Sequence, residues 1–440
     1  MLDGHVTRED YLAVLRGELA PEDIDRRYRS HARALCPTCR AEHLAFLQGI
    51  EPPRKSSELS ILCMLLGHAV AELRRLDEQA EQELRELEGL SFEQQRLKVE
   101  RARTRFRNPF VADRLIAASR EAVYSEPQRA RELAELAFEV ALRGKLLVLD
   151  ADPSFDLLAL AAAHRANALR AAGDLPAAEE SMKRALHRLD DLPELVVAEI
   201  ASLAGSLRRD QRCLDQALEL VARAARLYRS LGEEHLAGRT LLKKAHILHE
   251  RGDVDSAIET LHEALGLIDH REDLRLYLWA QHDLTCALAD AGAYREARQL
   301  LEDNRSLYES YPDEPTLLRR RWVEAKVARG LGETSEAEAA FLEARDGFAR
   351  RENGYDAALV SLELTLLYLD QGRTGEVQEL ARMVPIFRAQ DVHREALAAL
   401  AVFLEAASRE AVSRELVERL VDYLHQARND PSLRFEPPSL

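Results

Sequence analysis

The most chemically loaded stretch of the 440-residue chain is Tyr28 to His43, which holds His31, Cys36, Cys39 and His43. Two thiolates with two residues between them form a knuckle that can hold one tetrahedral Zn2+ once two more nitrogen or sulfur ligands arrive. His31 is placed to be the third. The fourth is either His5, 26 residues before His31, or His43, four residues after Cys39. A metal enclosed by four protein ligands has no open coordination position, so its expected role is structural. A dithiol redox role fits poorly, because no βαβ pattern surrounds Cys36-Pro-Thr-Cys39. Cys63, Cys213 and Cys286 stand singly in helical patterns and are expected to be buried small hydrophobes.

Elsewhere the sequence offers little to a catalyst. His246 and His249 are three residues apart and His282 adjoins Asp283, but no second metal-ligand pair, nucleophile elbow or phosphate-cradling loop accompanies them. No catalytic residue is assigned, and a hydrolase or transferase built on these histidines is an outside alternative.

The elements that must position such residues are helices. Low Gly and Pro counts, 5% aromatic residues and 31% charged residues suit Ala/Leu/Glu/Arg-rich helices better than sheets. No run of about 18 apolar residues occurs and the first ten residues carry charges, which implies a cytoplasmic protein without a membrane span. A formal charge of −16 opposes general binding to nucleic acid or an anionic membrane. The basic run at residues 96–107 follows an acidic stretch from Asp77 to Glu93, so pairing within a helical hairpin is expected of it.

Helix-breaking steps at Gly173, Arg212, Gly252, Gly292, Gly332 and Gly372 are spaced 39, 40, 40, 40 and 40 residues apart. Such regularity marks stacked supersecondary units. Small residues fall in columns about these steps. Five residues after each stand Ala178, Ala217, Ala257, Ala297, Ala337 and then Val377. Seven further on stand Ala185, Ala224, Ala264, Asn304, Ala344 and Val384, and seven before each stand Ala166, Gly205, Ala245, Thr285, Ala325 and Thr365. Small side chains there let antiparallel helices approach closely.

These columns resemble the small-residue positions of the tetratricopeptide family over residues 108–428, with a 40-residue period in place of the family's usual unit of about 34. The resemblance implies an all-α fold, a right-handed superhelix (α-solenoid) of antiparallel hairpins. It also implies a concave face built by the first helix of each hairpin, at positions thirteen, ten, six and three residues before the turn. Carried onto this chain, those positions include Asn167, Arg170, Glu199, Ser202, Arg209, Arg239, His246, His249, Trp279, His282, Arg319, Trp322, Lys326 and Arg329. Aromatic and arginine side chains anchor interfaces, and a basic centre in an acidic chain suits an acidic peptide, a carboxylate terminus or an acidic helix.

His5, His31, Cys36 and Cys39 also resemble the ligand set of the zinc-binding anti-sigma domain, across about the first 50 residues. That resemblance implies one zinc ion and a sigma factor as partner, while a purely structural staple remains the alternative. The expected layout is a zinc-binding domain at 1–50, a helical connector hairpin at 51–107, the solenoid at 108–428 and a disordered tail at 429–440. The function expected of the whole is a regulatory adaptor for a protein or peptide, with a general assembly scaffold as the alternative.

Overall fold

The computed structural model describes residues 75–123, 125–144, 153–187, 189–381, 394–409, 411–427 and 433–436, with the single residue Ala13. His5, His31, Cys36, Cys39, the alternative ligand His43 and Cys63 lie outside the described residues. Every α or β element among the described residues is helical. Residues 75–85 form α1, followed by α2 (Phe92–Arg101), α3 (Pro109–Ala122), α4 (Pro127–Arg143), α5 (Pro153–Ala171), α6 (Leu175–Leu186), α7 (Glu194–Asp210), α8 (Leu214–Ser230) and α9 (Glu234–Glu250). Then come α10 (Val254–Leu267), α11 (Leu274–Asp290), α12 (Tyr294–Asp303), α13 (Arg305–Glu309), α14 (Glu314–Gly330) and α15 (Thr334–Arg350). The last four are α16 (Gly354–Asp370), α17 (Thr374–Ala381), α18 (Arg394–Ser408) and α19 (Arg414–Ala427).

Each expected turn is a left-handed helix cap. Gly173, Gly252, Gly292, Gly332 and Gly372 have φ between 67° and 84°, and Arg212 takes the same conformation at 61°. The residue after each donates its backbone N–H to the carbonyl five positions back, as Asp174 does to Leu169 at 2.9 Å and Glu333 does to Ala328 at 2.9 Å. This Schellman closure satisfies carbonyls that the helix end would leave bare, and a residue without Cβ meets the positive φ at least cost. The next helix starts within two residues, with Asp174 and Asp253 accepting from the N–H groups of Ala177 and Ser256. Cys213 holds the equivalent place before α8 and is exposed, which corrects the expectation of burial: the N-terminal cap position faces water.

The small columns are the seams between helices. Ala178, Ala217, Ala257, Ala297 and Ala337 are fully buried, as are Ala185, Ala224, Ala264 and Ala344. At Gly205 a Cβ would lie 2.6 Å from Val221 Cγ1 and 3.3 Å from the Ala217 carbonyl, so the α7–α8 approach excludes even a methyl group. Thr285 and Thr365 occupy the same column by donating their hydroxyls to the carbonyls one turn back, Gln281 and Ser361.

The chain divides into two compact units, Met1–Ile247 and Leu248–Leu440. In the first, α3 packs on α4, α4 on α5, α5 on α6, and α7 on α8. Leu76, Ala80, Leu87 and Val99 from α1, α2 and the intervening turn join Phe110, Leu115 and Leu136 in its core. The basic run is paired as expected, Lys98 to Glu86 at 3.2 Å and Arg105 to the same carboxylate. In the second unit α16 is enclosed by neighbours, and Leu359, Val360 and Leu364 are fully buried. Of the expected tail at 429–440, residues 433–436 fall among the described residues. Leu433 and Phe435 pack against the core, Phe435 meets Tyr423 ring to ring at 5.2 Å, and Tyr423 donates its hydroxyl to the Leu433 carbonyl at 2.9 Å.

No described helix is long and apolar enough to cross a membrane.

Candidate functional site

A cleft open to solvent lies in the first unit. Its walls are α3, α5, α7, α8 and α9, which contribute Arg120, His164, Asn167, Glu199, Ser202, Tyr228, Arg239 and Lys243 among other residues. Three of these helices, α5, α7 and α9, each end in one of the regular left-handed caps. One face of each is thereby aimed at the same space.

Glu199 is the single carboxylate of the lining. His164, only 3% exposed, approaches it at 3.0 Å through Nε2, and Arg120 lies 3.5 Å away. Burial pushes the Glu199 carboxyl up, but the hydrogen bond and charge of His164, with Arg120 and Arg239, hold it down at about 2. Tyr228 moves the other way, its phenol raised by burial and by the neighbouring Glu199 charge.

Lys243 is half-buried and donates to Ser202 Oγ at 2.8 Å and to the Ser202 carbonyl at 3.4 Å. Burial and the nearby guanidiniums of Arg239 and Arg170 pull its amine down to about 7, against a weaker upward pull from Glu199. A lysine near neutrality beside a serine hydroxyl has the composition of a Ser–Lys pair. Ser202, however, is 6% exposed in the interior of α7, where helix hydrogen bonds consume the backbone N–H groups that would otherwise hold an oxyanion. The geometry is suited to holding a ligand.

Of the concave-face positions read from the sequence, the cleft gathers Asn167, Glu199, Ser202 and Arg239. Arg170 stands beside them, bridging Asp210 at 2.5 Å and donating twice to Asn167 Oδ1. Arg209 and His246 belong to the same unit, half-buried and outside the cleft lining. Sequence reasoning missed Arg120, His164, Tyr228 and Lys243. The signal for two of them lay in the register: nine residues before the turns stand His164, Leu203, Lys243, Asp283, Val323 and Glu363, a column with four ionisable side chains.

The other expected positions fall in the second unit. Lys326 pairs with Asp290 at 2.6 Å and lies 3.9 Å from Glu363, which is 4% exposed. His249 reaches the same Asp290 at 3.0 Å, and Arg329 donates to the Glu363 carbonyl at 3.3 Å. His282 meets the Tyr308 hydroxyl through Nδ1 at 3.0 Å and the Cys286 sulfur at 3.7 Å, and burial lowers its affinity for a proton. Trp279 is exposed with Arg275 over its ring, Trp322 packs edge-on to Phe348, and Arg319 is exposed. Among the described residues no group of His, Cys, Asp and Glu side chains is arranged to hold a metal ion.

No family model matches the chain, and no curated protein matches it. Among solved structures, a Rap protein complexed with competence and sporulation factor is similar with a TM-score of 0.54 at 13% identity, over 73% of this chain and 88% of that one. Aspartyl phosphate phosphatase F from Bacillus subtilis aligns with a TM-score of 0.49 at 12% identity, over 87% and 92% of the two chains. A Rap conjugation gene regulator of the plasmid pLS20, in complex with the Phr* peptide, aligns at 0.39 and 13% identity over 71% and 97%. The first likeness is one of fold, and with the turns and seams described above it supports an all-α chain of antiparallel helical hairpins, an α-solenoid.

Proposed function

We propose that the chain is a non-enzymatic regulatory adaptor that takes a protein or peptide segment into the cleft formed by α3, α5, α7, α8 and α9. The observation that carries this reading is the cleft itself, a concavity among helix faces lined by side chains with unused hydrogen-bond donors. The similar fold of a Rap protein solved with competence and sporulation factor supports it. A photo-crosslinking amino acid at Arg239, introduced into the protein in its own cells, tests it. The expected result is a crosslink to one protein or peptide, lost on changing Asn167 to Leu; a uniform background of crosslinks sinks the reading.

On sequence grounds we add that His5, His31, Cys36 and Cys39 hold one structural Zn2+, with a sigma factor as the partner of that module and the cytoplasm as its location. Zinc measured in the purified, reduced protein should be about one per chain and should fall on changing His5. Absence of zinc, or zinc lost with His43 and retained without His5, rules out this ligand set.

A further inference from the structure

In a chain of formal charge −16, the cleft of the first unit holds more positive charge than it uses. Arg120 from α3 and Arg239 and Lys243 from α9 share the space with one carboxylate, Glu199 of α7. That carboxylate is already engaged by His164 and Arg120. Lys243 has only neutral partners, both oxygens of Ser202. Arg239 forms no hydrogen bond or ion pair among the described residues and acts on Glu199 only through space. Asn167 gives its carbonyl oxygen to Arg170, which leaves its amide N–H groups to donate. A half-buried ammonium without an anion is an unfavourable arrangement, and an incoming anion relieves it.

We propose that the cleft, as the partner site assigned above, seats a carboxylate of an acidic peptide segment between Lys243 and Arg239, with the Asn167 amide as a further donor. The planar guanidinium of Arg239 matches a carboxylate with two parallel hydrogen bonds. Glu199, kept ionised, repels a doubly charged phosphate about twice as strongly as a singly charged carboxylate. The proposal rests on the cleft being the partner site.

The groups facing Lys243 are Arg120 of α3, His164 and Arg170 of α5, Glu199 of α7, Tyr228 of α8 and Arg239 of its own helix. Their sum, with burial, leaves the amine half-charged near pH 7. A bound carboxylate favours the charged form, so binding above that pH takes up a proton and weakens as pH rises.

The experiment titrates four probes calorimetrically into the full chain: N-acetyl-tetraglutamate, its C-terminal amide, the N-acetyl-tetraglutamine amide and inorganic phosphate. At least the free-acid glutamate peptide should bind, with the glutamine peptide about tenfold weaker or more. Lys243→Gln should weaken the glutamate peptides by a similar factor, leave the glutamine peptide unchanged, and abolish the loss of affinity between pH 6.5 and pH 8.5. Should Lys243→Gln disturb folding by circular dichroism, Arg239→Gln repeats the comparison of probes. Binding that needs the free C-terminus assigns the terminal carboxylate, and binding by the amide assigns a side chain; either supports the proposal. Equal binding of glutamate and glutamine peptides overturns the carboxylate and leaves a peptide site standing. Displacement of the glutamate peptide by an equal concentration of phosphate overturns it in favour of a small-anion site. Failure of all peptides overturns it, and a blank crosslink at Arg239 would then remove the partner site as well.

Discussion

Two lysines, one in each compact unit, sit in similar helical surroundings and are driven in opposite directions. Lys326 lies among carboxylates, Asp290 at 2.6 Å and Glu363 at 3.9 Å, and they raise its amine above the ordinary lysine value against the downward push of burial. Lys243 has a serine for a partner and arginines for neighbours, and it falls to about 7. Desolvation is common to both; the sign is set by what else was buried. Around Lys326 the second unit supplies its own counter-charges, whereas around Lys243 the first unit has kept an unanswered charge at the edge of a cleft. A stabilising ion pair and a receptive site are thus built from the same residue type, and they differ in whether the counter-charge belongs to the same chain.

The largest effect that separates the two is expected from truncation. Lys326→Met leaves Glu363 without its cation and Asp290 with His249 alone and should cost about 3 kcal/mol in urea unfolding, whereas Lys243→Met should cost less than about 1 kcal/mol or stabilise. Equal losses would erase the contrast. In acid, Glu199 gives a second effect. Its folded carboxyl titrates at about 2 against an ordinary 4.5, so its contribution, about 3 kcal/mol at most, is complete above pH 4.5 and lost as pH falls toward 2. Glu199→Gln should flatten that part of the stability curve.

Alkali sharpens the comparison. Between about pH 7 and 10.5 the unfolded chain holds a proton on Lys243 that the folded chain has released, so the first unit gains stability by at most about 1.4 kcal/mol per pH unit. Lys326 has the opposite sign: its contribution is complete below its unfolded value of 10.5 and lost only above that. Hydrogen exchange of α9 amides, corrected for intrinsic rate, should therefore slow relative to α14 as pH rises from 7 to 9; parallel behaviour contradicts the assignment. The smallest effect is in the turns. Arg212→Gly should stabilise by about 1 kcal/mol, because it relieves the one left-handed cap in the series held by a residue with a Cβ, and Gly332→Ala should cost about as much.

The turns and seams were legible because both are local and periodic: a cap needs a residue tolerant of positive φ, a seam needs a small one, and the period of 40 repeats both demands. Four of the cleft residues followed from the same register, namely Asn167, Glu199, Ser202 and Arg239. His164 and Lys243 were missed because their column, nine residues before the turn, is not among the concave positions carried over from the resemblance, yet in α5 and α9 it borders a cavity. Arg120 and Tyr228 came from helices outside the regular first-helix series. Nor does a list of basic positions reveal which are already neutralised. Lys326 was read as part of a basic centre, and only the fold brings Asp290 and Glu363, 36 residues before and 37 after it, to its side.

The short stretch 433–436 has a practical meaning for anyone who handles this protein. Leu433 and Phe435 lie as a clasp against Tyr423 of α19, with Arg419 donating to the Glu436 carbonyl at 2.9 Å. A version trimmed after Ala427 would lose that clasp and present Tyr423 and its apolar neighbours as a sticky end, ready to seize another molecule cut the same way. Tags and fusion partners therefore belong after residue 436, where the clasp can still close.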